Sequence, residues 1–206
     1  MPKIERNIAQ QTPEWFAAKI GKPSASNASK LITSTGEPSK SMKGYAKFLA
    51  KEIFTGKPAN DWGGNNSTDY GNAMEDESRA AYELLTGYEV EQVAFIVDDG
   101  DRYLCSPDGL ISDDGGFEAK NKPKLHLDTL LYWYKYKKLE PDYIPQLQMS
   151  LFISKRDWWD IYYHNPDLPC LKVRVEPDLK LHRTLGMQLA EVIHERDKIV
   201  KILEEF

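Results

Sequence analysis

The stretch that decides the reading runs Ser106-Pro107-Asp108-Gly109-Leu110-Ile111-Ser112-Asp113-Asp114-Gly115-Gly116-Phe117-Glu118-Ala119-Lys120. Gly109 and the run Asp113-Asp114-Gly115-Gly116 are turn formers between two short apolar segments, which is the pattern of a hairpin. A hairpin here brings Asp108 beside Glu118. Two carboxylates, helped by the Ala119 carbonyl, make an all-oxygen site suited to a hard divalent cation. Lys120 lies two residues past Glu118, so on a strand both side chains leave the same face. An ammonium there orients or deprotonates a water and offsets phosphate charge. The chemistry is metal-assisted phosphodiester hydrolysis. A surface hairpin with scattered charges would carry the same residue types.

Outward from this segment, the 206 residues suit one domain with a real core. The composition, 41% hydrophobic and 29% charged, is that of an ordinary globular protein. No apolar run reaches the roughly 18–20 residues of a membrane span, and the first residues lack a signal-peptide core. Cys105 and Cys170 show no metal spacing and fit a reducing cytoplasm. The net charge of −5 hides an uneven distribution. Residues 1–60 carry ten basic and four acidic side chains, whereas residues 61–118 carry two basic and fifteen acidic ones. A basic lobe beside an acidic centre suits a phosphate-binding surface around a metal. Lys40, Lys43, Lys47 and Lys51 equally fit the wet face of a helix.

The periodicity predicts helices over 14–20, 27–33, 42–54, 68–86, 143–153 and 177–205. Strands are expected over 89–97, 103–106, 109–112, 116–120, 157–164 and 170–175. Residues 34–41 and 57–66 read as loops, and 121–140 as a long aromatic and basic connection. This order predicts an α/β or α+β layered domain, its mostly antiparallel sheet covered by helices. Residues 1–60 form a basic helical lobe; residues 61–206 form the core and a C-terminal helix.

Three further groups of residues bear on the site. Glu75 shares a helix face with Arg79 and Tyr82, either as a third carboxylate for the cation or as a solvated partner of Arg79. Gln146 opens a helix and faces away from Gln148, so it is the one to hold a water or phosphate oxygen. Lys19, with Ser24 and Ser26 at a following helix start, supplies the parts of a phosphate pocket. An ordinary capped helix with a surface lysine uses the same parts.

Taken in order, Trp15-x3-Lys19-x-Gly21-x3-Ala25-Ser26, Gly71-x3-Glu75, Ser106-Pro107-Asp108-Gly109-Leu110, Glu118-x-Lys120 and Gln146-x-Gln148 resemble the lambda exonuclease family. This is the YqaJ-type viral recombinase branch of the PD-(D/E)xK nucleases. The resemblance covers about residues 12–160. It implies a single restriction-endonuclease-like α/β domain, with a central mixed sheet flanked by helices. It also implies a Mg²⁺-dependent enzyme, with Mn²⁺ able to substitute, that digests one strand of duplex DNA from the 5′ end. Ring-shaped homotrimers and delivery of the 3′ strand to a phage single-strand annealing protein are implied as well.

By the same resemblance, Asp108, Glu118 and the Ala119 carbonyl are the metal ligands and Lys120 activates the water. Glu75 lies at the edge of the site and Gln146 near the scissile phosphate. Lys19, Ser26 and Ser24 grip the terminal 5′-phosphate, with Lys22 as a second cation. The family's type member has arginine at the position of Lys19, and a lysine loses the bidentate fork. A helix carrying Met42, Lys43 and Lys47 is expected to track phosphates and wedge the duplex end. A structure-specific or restriction-like endonuclease, or a non-catalytic DNA-binding module, are the competing functions.

Overall fold

The computed structural model describes residues 1–58, 74–122 and 124–206. Gly71 and the expected helical turns at 68–73 lie outside the described residues, as does most of the 57–66 loop.

A three-stranded antiparallel sheet, in the order β1-β2-β3, joins β1 (Lys3–Glu5), β2 (Phe95–Val97) and β3 (Leu104–Cys105). The mixed four-stranded sheet β4-β5-β6-β7 carries the site. Its strands are β4 (Gly109–Ile111), β5 (Gly115–Asn121), β6 (Trp158–His164) and β7 (Leu171–Val175). β5 pairs antiparallel with β4 and parallel with β6, in the register Glu118↔Ile161. Helices α1 (Pro13–Lys19), α2 (Met42–Thr55), α3 (Glu75–Thr86), α4 (His126–Tyr136), α5 (Ile144–Ser154) and α6 (Leu179–Leu203) surround the sheets. The main core gathers Leu31, Tyr45 and Leu49 from the N-terminal half, Leu147 and Leu151 from α5, and Leu185 and Leu189 from α6. A smaller cluster of Tyr82, Phe117 and Tyr162 seats α3 on the mixed sheet.

Several elements depart from expectation. Residues 121–140 are not a plain connection, because α4 fills their middle. Its buried side, His126 and Thr129, recurs at helical spacing. The neighbouring tyrosines and lysines conceal that period in the sequence. In place of the helix expected over 27–33 there is a short 3-10 helix, Ala25–Lys30, closed by i to i+3 bonds such as Leu31 N to Ala28 O. The expected strand at 89–97 narrows to β2 plus an isolated bridge between Glu91 and Leu110. β1 was not foreseen, since three residues carry too little pattern.

Two features tie the β4–β5 hairpin down. A Cβ on Gly115 or Gly116 would fall 2.2 Å from the ring of Trp158 or Trp159, respectively. These glycines therefore serve close strand packing as well as a turn. The buried Arg156 guanidinium donates from Nη1 to the carbonyls of Ile111, Ser112 and Gly115, at 3.2, 2.8 and 2.7 Å, and so holds both sides of the turn.

Asp160 is fully buried. It accepts from Tyr82 Oη at 2.7 Å and from Arg174 Nε and Nη2 at 2.8 and 2.9 Å. This network links α3, β6 and β7. Burial opposes the charge, but Arg174, Tyr82 and Lys172 outweigh it and hold the Asp160 carboxyl below its ordinary value.

A depressed carboxylate contributes stability above its unfolded pKa of about 3.9, and that contribution is lost as pH falls through the folded value. Asp160→Ala leaves the buried Tyr82 hydroxyl without its acceptor and Arg174 without its partner, and should cost about 1–3 kcal/mol at neutral pH. Denaturant unfolding measures this, and the gap between variant and wild type should shrink in acid.

Candidate active site

The hairpin register sets the site. Gly109 pairs with Phe117, so the next step of the register puts Asp108 across from Glu118. Asp108 Oδ2 accepts from the Ala119 N–H at 2.7 Å, which fixes the carboxylate against β5. Lys120 Nζ donates to Glu118 Oε1 at 2.5 Å. From α5, Gln146 Nε2 donates to the same oxygen at 2.6 Å. Gln148 turns away, donating to the Glu176 carbonyl and accepting from Asp178 N, both at 2.8 Å. One helix thus sends one glutamine to the site and the other to the base of α6.

The electrostatics are those of an acidic cluster removed from water. Burial and the neighbouring Glu118 carboxylate push Asp108 well above its ordinary value, against the pull of Lys120. Burial works against the charge on Lys120, but Glu118 and Asp108 overcome it and raise the ammonium above its ordinary value. Glu75 is the first residue of α3. Burial raises it, and Asp76 and Glu118 add to that while Arg79 opposes it. Arg79 pairs with Asp76, one residue on, and Glu75 also lies within the field of Glu118 and Lys120.

Among the described residues no three His, Cys, Asp or Glu side chains form a ready cation cage. The donors present are nonetheless all oxygen, and they fit a hard cation that keeps waters or substrate oxygens in its shell. Such a cation would relieve the repulsion that raises Asp108. Asp108, Glu118 and the Ala119 carbonyl are the residues that would hold it.

A second concavity lies in the N-terminal lobe, with a volume of about 220 Å³ and Lys19, Lys22, Ser24, Ser26, Asn27 and Glu52 among its lining residues. Lys19 Nζ sits 3.4 Å from the Trp15 ring centroid. Burial pushes its ammonium down to about 7, partly offset by Cys105 and Glu52. The Ser24 and Ser26 hydroxyls are 3.2 Å apart, and Asn27 Nδ2 donates to Ser24 Oγ at 3.1 Å. Lys22 pairs with Asp101 at 2.8 Å. Lys43 and Lys47 are exposed on α2. Met42 is not: it is 5% exposed and belongs to the main core. It therefore offers no wedge to a duplex, a correction to the expectation from the sequence.

Sequence reasoning missed Arg156 and Tyr143. Tyr143 lies beneath the ammonium groups of Lys120 and Lys122, 5.4 and 4.6 Å from its ring centroid. Only the strand alternation that places Lys120 and Lys122 on one face hinted at a shared partner.

The model of the YqaJ-like viral recombinase domain family matches residues 14–157. Among solved structures, the chain is similar to an alkaline exonuclease, LHK-Exo, from Laribacter hongkongensis. The identity is 28% and the TM-score 0.82, covering 94% of this chain and 97% of that one. The same protein in complex with dAMP matches at 27% identity and a TM-score of 0.81, with the same coverage. A phage-related exonuclease from Haemophilus somnus 129PT shares the fold at 16% identity and a TM-score of 0.69, over 88% of this chain and 96% of that chain. No curated protein sequence matches the chain.

Calorimetric titration with Mn²⁺ checks the cation assignment. Asp108→Asn and Glu118→Gln should each lose most of the wild-type affinity. Lys120→Ala should retain or gain affinity, because a positive neighbour has gone.

Proposed function

This chain belongs to the YqaJ-like viral recombinase domain family and is a nuclease with a PD-(D/E)xK core; we propose that it digests one strand of linear double-stranded DNA from the 5′ end, leaving a 3′ single strand. One observation carries this reading. Asp108, Glu118, Lys120 and Gln146 converge through bonds of 2.5–2.7 Å, although they come from a loop, a strand and a separate helix.

The metal is a divalent cation, which we take to be Mg²⁺ with Mn²⁺ as a substitute. When bound, it polarises the scissile phosphate and lowers the pKa of a water. The chain's own residues do the rest. Lys120, held as an ammonium against Glu118, orients a water and offsets charge on the phosphate. Gln146 holds Glu118 in place and presents its amide toward a phosphate oxygen. Glu75 borders the site from α3. Backbone and end recognition, without base reading, suits such a surface.

Lys19, Ser24 and Ser26 are proposed to hold the terminal 5′-phosphate, with Lys22 beside them and Lys43 and Lys47 along the duplex. Anchoring the end places the first scissile bond near Asp108 and Glu118. We further propose that residues 1–206 act as one nuclease domain, that the chain forms a homotrimeric ring in the bacterial cytoplasm, and that the 3′ strand passes to an annealing protein in phage-type recombination. Among the described residues no helix is long and apolar enough to cross a membrane.

Digestion of linear duplex labelled on one end or the other tests the polarity, and covalently closed circular DNA should stay intact. Nicking of the circle would favour a structure-specific or restriction-like endonuclease. Lys120→Ala should lower the rate by about two orders of magnitude or more; full activity would remove Lys120 from the mechanism.

The low value of Lys19 gives a second test. Its ammonium is charged below about pH 7 and neutral above it. The preference for a 5′-phosphate over a 5′-hydroxyl end, read as kcat/KM, should therefore fall as pH rises through that value. Lys19→Arg, which stays charged, should keep the preference at high pH, and Lys19→Ala should lack it throughout.

A further inference from the structure

Helix α4 follows directly from the catalytic strand and has two opposite faces. Its inner face is buried: His126 is fully buried with Nε2 2.8 Å from the Pro169 carbonyl, and Thr129 is buried beside Glu140. Its outer face is apolar yet open. Leu127 and Leu131 are 53% and 57% exposed, and Tyr134 is 76% exposed. These positions, spaced four and three residues apart, form one stripe along the helix. Tyr136, at the end of the helix, is 49% exposed, and its ring centroid lies 4.8 Å from that of Tyr132.

The charge around this stripe has one dominant sign. Lys135 Nζ lies 4.9 Å from the Tyr136 ring centroid, and Lys137 Nζ lies 5.0 Å from that of Tyr134. Lys138 is exposed just beyond, and Lys124 precedes the helix. Asp128 is the acidic side chain of α4, in its first turn. The basic character also reaches back toward the site, where Lys122, just past the end of β5, pairs with Glu140 at 3.0 Å.

Flat rings set between ammonium groups suit a ligand that alternates planar bases with phosphates. Bases stack on exposed aromatic faces, and lysines track the backbone. A rigid duplex keeps its bases stacked inside, so it could use the lysines but not the tyrosines. An apolar protein surface would find its approach ringed by cations. The chemistry therefore favours single-stranded nucleic acid.

We propose that the outer face of α4 is a single-strand DNA subsite that holds the strand spared by cleavage as it leaves the centre at Asp108 and Glu118. The subsite rests on the nuclease reading above, and it gives residues 124–138 a part in the reaction. Tyr134 supplies stacking, Leu127 and Leu131 an apolar seat, and Lys135, Lys137 and Lys138 the phosphate contacts.

The test is fluorescence anisotropy of a labelled oligo(dT) on the full chain, in EDTA so that no cleavage intervenes, across a range of salt. Tyr134→Ala should weaken oligo(dT) binding about tenfold or more while leaving the slope with salt unchanged. The side chain is exposed, so the variant should fold, and its unfolding midpoint checks that. Lys135→Gln/Lys137→Gln/Lys138→Gln should instead flatten the salt slope. A wild-type chain that does not bind oligo(dT), or a tyrosine variant that binds like wild type, would overturn the proposal. So would a tyrosine variant that loses self-association in sedimentation yet binds oligo(dT) normally, since α4 would then be an interface between copies. Digestion of linear duplex by the wild type is scored separately, so failure of the subsite and failure of the nuclease reading are distinguishable.

Discussion

The pairing of β5 on both edges is the constraint on which the site depends. β4 fixes one edge and β6 the other, with Glu118 opposite Ile161. A slip of one residue would turn Glu118 and Lys120 to the opposite face of the sheet and move Ala119 away from Asp108. Several otherwise unrelated features guard against that slip. The rings of Trp158 and Trp159 fill the space that side chains at 115 and 116 would need. Arg156 gathers three carbonyls around the turn. The smaller aromatic core of Tyr82, Phe117 and Tyr162 presses α3 onto the same strands.

Two buried acidic groups show how one sheet separates support from chemistry. Asp160 is surrounded by donors, and Arg174, Tyr82 and Lys172 hold its carboxyl below the ordinary value. Asp108 is only half-buried as a residue, though its carboxyl is withdrawn from water; its neighbours include Glu118 and Glu75, and its carboxyl is pushed up. The first arrangement is complete within the protein and acts as a clamp. The second leaves negative charge that Lys120 does not balance, which is the condition in which a cation and a phosphate complete the site. The contrast lies in the partners rather than in burial, since both carboxylates are withdrawn from water.

The overall acidity of the chain is a poor guide to its surfaces. Much of the negative charge falls between residues 61 and 118, the stretch that ends in Asp108 and Glu118. Positive side chains are distributed over α2, the N-terminal concavity and the flanks of α4. Lys19 differs from the exposed lysines because it is half-buried over Trp15 and titrates near neutrality. Its charge depends on the medium, whereas Lys43 and Lys47 on α2 stand exposed. Lysines of the same formal charge thus serve different physical purposes.

The sequence by itself determined most elements and the order of the motifs, because Gly and Pro punctuation and apolar periodicity are local signals. It placed Glu118 and Lys120 on one face, since strand alternation needs only two residues, and it separated Gln146 from Gln148 by helical geometry. It missed α4, whose period is masked by tyrosines and lysines on its outer face, and it misjudged Met42, whose place in the core depends on distant residues. Only the tertiary structure decided that Gln146 reaches Glu118 from a helix nearly thirty residues away, that Asp160 ties α3 to two strands, and that Arg156 closes the β4–β5 turn. Each of those contacts joins segments whose separation along the chain carries no periodic signature. Their pairing follows from packing, where excluded volume and the need to satisfy buried polar groups select the partners.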